Sequence, residues 1–172
     1  PTLNGVDPAK AGLDQLLVKA GPGTPGLPVL RSRLGWIAAG NAAGPSNEAL
    51  DVPSFTVPGA DPVQLEFTHR YSFEFDGVLW DGGAVMVSIN DGAFVHVPGT
   101  QFTQNGYVGI VTGNHVLKDL EAFNGDSAGY SEGKMIKSVL TIPGLNPGDT
   151  CKMQFLGAWD EFSAGSNPNW EI

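Results

Sequence analysis

Apolar and polar residues alternate most regularly between Leu65 and Val97. Leu65, Phe67, His69, Tyr71, Phe73 and Phe75 fall on one face of an extended chain; Glu66, Thr68, Arg70, Ser72 and Glu74 fall on the other. A period of two is the mark of a half-buried strand. An aromatic inner face suits packing against a second sheet. Asp76-Gly77 and Trp80-Asp81-Gly82-Gly83 are turn signals that stop the strand and reverse the chain. Val85, Val87 and Ile89 then alternate with Ala84, Met86 and Ser88 as a second strand. Asn90-Asp91-Gly92-Ala93 reads as a hairpin turn, because Asn, Asp and Gly tolerate positive φ. Phe94 to Val97 is the returning strand.

The flanking sequence continues in the same style. The sandwich begins at Arg31, with Leu34 and Trp36 as first anchors, and residues 38–48 form a surface loop. Ala49 to Val57 is a strand, which Pro53 marks as an edge or bulged one. Pro58 to Pro62 turns the chain into the central strand. Pro98 to Gly133 is Gly-rich, with short strands at Tyr107 to Thr112 and around His115 to Leu117. A long connection of this kind suits a Greek-key crossover and often carries a binding surface. Met135 to Ile142 and Cys151 to Trp159 are strands on either side of a Leu145-Asn146-Pro147-Gly148-Asp149 turn. After a loop over residues 160–169, Trp170 to Ile172 starts a last strand that pairs near the first. The predicted fold is an all-β, antiparallel β-sandwich. Its predicted core includes Phe67, Tyr71, Phe73, Val85, Val87, Phe155 and Trp159.

The first 30 residues differ. Asp7 as cap, Pro8 in the first turn and Gly21 as terminator predict a short helix with Leu13, Leu16, Leu17 and Ala20 on one face. The same stretch also reads as a strand at Gln15 to Lys19. Gly21 to Pro28 has the composition of a linker. The expected organisation is an arm and linker over residues 1–30 and one sandwich domain over 31–172. The arm either packs on the sandwich or reaches a neighbour.

Composition narrows the function. A chain of 172 residues fits one domain. Its 24 glycines and 13 prolines imply many short strands and loops. Eighteen acidic against nine basic side chains give a net charge of −9, which argues against nucleic acid and anionic membrane as partners. Acidic loops do suit divalent cations. A single cysteine, Cys151, excludes an intrachain disulfide, and its apolar run predicts a buried, inert thiol. No apolar stretch of about 18 residues is present, so membrane insertion is not expected. The chain opens at Pro1 without a signal-peptide pattern and reads as a processed product or a piece of something larger.

Catalytic signals are weak. The histidines are His69, His96 and His115. Neither a Gly-x-Ser-x-Gly elbow nor His-Glu-x-x-His nor paired cysteines occur. His69, on the apolar side of its strand, reads as a core or rim histidine rather than a ligand. Glu74, Asp76 and Asp81 lie close in sequence; carboxylates at a turn are either solvated or hold a cation. Trp80 and Tyr107 fall in loops, where they either stack on sugar rings or cap the core. No enzymatic activity is expected.

FTHRYSFE followed by DGGAVMVSINDGAF resembles the core of a jelly-roll domain common in secreted bacterial proteins. That domain is similar to MAM domains and to the β-sandwich appended to immune-inhibitor-A-type metallopeptidases. Asn105-Gly106-Tyr107, the stretch Phe123 to Tyr130, Cys151 to Asp160, and Asn169 to Ile172 follow in the family's order, so the likeness spans Trp36 to Ile172. Two features depart from it: the turn reads Asn90-Asp91-Gly92-Ala93 instead of Asp-Gly-Gly-Ala, and the chain stops before the family's closing acidic pair.

The resemblance implies a secreted or cell-surface, non-catalytic module for adhesion, ligand binding or accessory work, with a protein or glycan as partner. Carbohydrate binding is one variant. It also implies a structural calcium at Glu74 and Asp81, which Asp160 and Glu171 could join; an ordinary solvated acidic cluster is the alternative. A different class of function also fits the sequence: a subunit of a self-assembling filament or lattice, docking through its arm or a strand edge.

Overall fold

The computed structural model describes residues 13–14, 17–20, 31–32, 36–38, 40, 44–60, 62–161, 166 and 168–172. In chain order the first strands are β1 (Leu13–Asp14), β2 (Leu17–Ala20), β3 (Arg31–Ser32), β4 (Ile37–Ala38), β5 (Ser46–Thr56), β6 (Val63–Tyr71) and β7 (Gly82–Ile89). Then follow β8 (Val95–His96), β9 (Phe102–Gln104), β10 (Gly109–Ile110), β11 (Glu121–Ala122), β12 (Ile136–Thr141), β13 (Thr150–Trp159) and β14 (Trp170–Glu171). Among the described residues the only helical pieces are two 3₁₀ turns, Gly99–Gln101 and Tyr130–Glu132.

The protein is all-β and antiparallel. One sheet runs β4-β14-β6-β12-β9, with β2 also paired to β6; the other runs β5-β13-β7-β8. The predicted alternation of β6 is present residue by residue: Val63, Leu65, Phe67, His69 and Tyr71 are buried, and the residues between them are not. Across the sandwich they meet the inner faces of β7 and β13; the Phe67 and Phe155 rings lie 4.8 Å apart. All seven residues of the expected core are buried.

Asn90 and Asp91 take positive φ of 52° and 59°, and Gly92 N–H closes the turn on the Ile89 carbonyl at 2.9 Å. The hairpin expected between β7 and β8 is therefore built by the two residues whose side chains best tolerate that backbone. β5 begins three residues earlier than its pattern predicts, inside the expected loop. It is an edge strand, and its register with β13 shifts between Cys151 and Met153. The last strand, β14, pairs with β4 near the start of the sandwich, as expected, and on its other side with the end of β6.

Three expectations are corrected. Leu13–Asp14 and Leu17–Ala20 are strands, not helix: β1 pairs with β3, and β2 lies along Val63–Glu66 of β6. A helix this short is marginal on its own, and a free sheet edge offers the same backbone inter-strand hydrogen bonds. Asp7, Pro8, Leu16, the linker over residues 21–28, and Leu34 lie outside the described residues. His115 to Leu117 forms turns rather than a strand. The connection holding it closes over the outer face of β7 and β13, where Val111, Leu117 and Ala122 pack on Ala84 and Ala158. Phe75, assigned to the inner face, is 58% exposed. β6 ends at Tyr71, so the pleat that would have turned Phe75 inward is broken before it.

Candidate cation site and adjoining cleft

Strand register brings the acidic residues together. Ala158 pairs with Gly82, so Asp81, which precedes β7, and Asp160, which follows β13, emerge side by side at one end of the sheet. The Asp160 N–H donates to Asp81 Oδ1 at 2.8 Å. Glu74 arrives from the opposite sheet, three residues beyond β6. One carboxylate oxygen from each of Glu74, Asp81 and Asp160 lies within 4.8 Å of the other two. Oxygens so spaced fit around one cation at calcium–oxygen distances of about 2.3–2.6 Å.

The two glycines after Asp81 explain the rest of that turn. A Cβ on Gly83 would sit 2.6 Å from the Trp170 ring, and one on Gly82 would sit 2.7 Å from the Ala122 Cβ. The motif thus combines a carboxylate with two positions where neighbours press directly on the backbone.

Asp81 is 0% exposed, and its Oδ2 has no hydrogen-bond partner. Burial, with added repulsion from Asp160 and Glu74, pushes its carboxyl up to about 7. Leaving a buried acceptor unpaired is costly, and native folds rarely do so without reason. Asn124, 2% exposed, has the same property: its Nδ2 donates to the Glu74 carbonyl at 3.0 Å and the Asp81 carbonyl at 2.6 Å, while Oδ1 has no partner. The donor set is oxygen only, which suits a hard divalent cation.

Glu171 stands outside this group. Its carboxylate accepts from Arg70 Nε at 2.6 Å, and that guanidinium lies over the Tyr130 ring at 5.5 Å. Trp80 is half-buried: its indole N–H donates to Asp76 Oδ1 at 2.9 Å, and its carbonyl is 2.7 Å from His115 Nε2. The Leu117 N–H donates to His115 Nδ1, so His115 is an Nε2–H tautomer with both nitrogens engaged. Tyr107 packs on Phe102, Phe123 and His96, and its hydroxyl accepts from the Val85 N–H at 2.9 Å.

Beside Glu74 opens a cleft of about 430 Å³, walled by Phe73, Phe75, Asp76, Asp126, Ser72 and Ser166 among others. Phe75 presents its ring there, and no basic residue lines it among the described residues. Sequence patterning missed Phe75 because it continues the apolar face of β6; the Asp76-Gly77 signal immediately after it was the available warning. Asn124 gave no sequence signal of its own.

Among the described residues, His69 and Ser138 make the one His–Ser contact that resembles catalytic geometry, at 2.8 Å. Both are 0% exposed. The Trp170 indole N–H donates to His69 Nδ1 at 3.0 Å, and Ser138 Oγ donates to the Asn105 carbonyl at 2.6 Å. These bonds fix a neutral Nε2–H imidazole, consistent with burial lowering its pKa to about 3. The pair is sealed in the core and joins four segments of chain.

No family model matches the chain, and neither a curated protein nor a solved structure matches it.

Proposed function

We propose that this chain is a non-catalytic binding module of a secreted or cell-surface protein, wound as a jelly roll, whose loop-bearing end is braced by a structural calcium ion. The observation that carries the reading is the buried, unpartnered Asp81 Oδ2 within the Glu74–Asp81–Asp160 cluster. A buried carboxylate pressed against two others is unfavourable unless something positive joins them. A cation at that point ties the end of β6 to the ends of β7 and β13, and so braces the wall of the Phe75 cleft. The exposed Phe75 ring beside carboxylates and hydroxyls suits a protein or glycan ligand of the cell exterior.

Two features weigh against the self-assembling alternative. β2 is already used along β6 of its own chain. The exposed edge strand β5 carries Glu48, Asp51 and Pro53, which blunt pairing with another copy.

Thermal melts test the cation. Calcium binds only the folded form, so at a hundredfold excess over its dissociation constant it stabilises by about 2.7 kcal/mol relative to chelator-treated protein. Asp81→Asn removes that difference and leaves the metal-free protein at least as stable, because a neutral amide costs less to bury than a carboxylate. Identical melts of metal-stripped protein with and without calcium would sink the reading.

A further inference from the structure

We infer that Asn124 is a fourth protein ligand of the same cation, supplying a neutral oxygen from Oδ1. The inference rests on the calcium reading above and goes beyond it by naming a residue from outside the acidic cluster. Three observations lead there. Asn124 Nδ2 is held between the backbone carbonyls of Glu74 and Asp81, the two segments that carry two of the three carboxylates. This fixes the amide orientation, since flipping it would set Oδ1 against two carbonyl oxygens. The remaining oxygen is buried, with no hydrogen-bond partner, as is Asp81 Oδ2.

Two orphan oxygens, one anionic and one neutral, on residues joined by a 2.6 Å hydrogen bond are accounted for together by one ion. Separately, each would be an uncompensated burial cost. The neutral ligand also suits the ion's chemistry. Calcium accepts mixed carboxylate and amide oxygens in six- to eight-fold coordination, whereas magnesium demands a tighter octahedron and keeps its water. Asn124 lies between Phe123, which is fully buried, and Gly125, whose carbonyl accepts the Phe73 N–H at 3.0 Å. The cation therefore also secures the segment that lines the Phe75 cleft at Gly125 and Asp126.

Side-chain carbonyl NMR on the intact chain, titrated with calcium chloride and separately with magnesium chloride, tests this directly. Coordination moves the Asn124 Cγ resonance downfield with calcium, in step with saturation measured by calorimetry. Asn124→Ala weakens calcium binding by about tenfold or more. Loss of the Nδ2 hydrogen bonds alone could also weaken binding, so the Cγ shift in the unaltered protein is the deciding readout, and it remains available if the variant fails to fold. Calcium binding that is abolished by Asp81→Asn but leaves the Asn124 Cγ unmoved overturns this assignment and spares the cation reading. Absence of calcium binding to the unaltered protein overturns both.

Discussion

His69 shows how much one residue's role depends on its surroundings. On the sequence it is a polar interruption in an aromatic face; in the fold it is the acceptor of the Trp170 indole and the partner of Ser138. Its remaining close contacts are the Phe67, Tyr71 and Phe123 rings, and Tyr71 is itself pushed up to about 12 by burial. Among the described residues, no charge stands by to stabilise an imidazolium. The folded pKa of about 3 lies below the ordinary 6.5, so over that interval the unfolded chain binds a proton that the folded one refuses. Its contribution to stability is intact above about pH 6.5 and is lost as pH falls, by up to about 1.4 kcal/mol per pH unit. Urea midpoints should fall on acidification with that slope, and ¹⁵N spectra should show His69 as the neutral Nε2–H tautomer until unfolding. An imidazole that titrates near 6.5 in the folded state would contradict the sealed arrangement. Phe73 is the companion case. It lies beyond the end of β6 yet is 2% exposed, packed beside Trp159 and Trp170. Phe73→Ala should cost about 3–5 kcal/mol in chemical denaturation. A loss under about 1 kcal/mol would mean the site collapses around the gap.

At the scale of elements, β7 is the strand on which both sheets and the site depend. It is buried on both faces, by the sandwich core on one side and by the connection carrying Val111 and Leu117 on the other. That explains the density of small residues at its start. Gly83 faces the fully buried Trp170 ring at a distance no side chain can occupy. Gly83→Ala should therefore push β14 outward and cost about 1–3 kcal/mol, the usual range for overpacking. Because Asp81 lies two residues away, calcium affinity should fall with it, whereas Gly59→Ala, with open space around its Cβ position, should change neither. Equal melting temperatures for Gly83→Ala and the unaltered protein would show that the Trp170 packing is looser than it stands here.

For the whole molecule, the question is whether it works alone or in a lattice. The arm strand β2 completes the sheet of its own chain, and the acidic, proline-bearing β5 covers one edge of the other sheet. A net charge of −9 adds mutual repulsion between copies. Light scattering at moderate ionic strength should give the mass of a monomer. Polymers that dissociate when residues 1–20 are removed would favour the assembling alternative.

The alternation of Leu65 to Tyr71, the Asn90-Asp91 turn and the β-strand spacing along the chain determined the all-β class and most of the core, because period-two burial and positive-φ turns are local properties written residue by residue. The acidic residues were legible too, as Glu74 and Asp81 flanking one turn. Only the tertiary structure decided which partners they have. It set Asp160 beside Asp81 through the β7–β13 register, gave Glu171 to Arg70, and brought in Asn124 from a distant connection. It turned Phe75 outward by ending β6 early, and it made β2 a strand by offering it the edge of β6. In each of these cases the deciding energy is a contact between residues far apart in sequence, which no local pattern encodes.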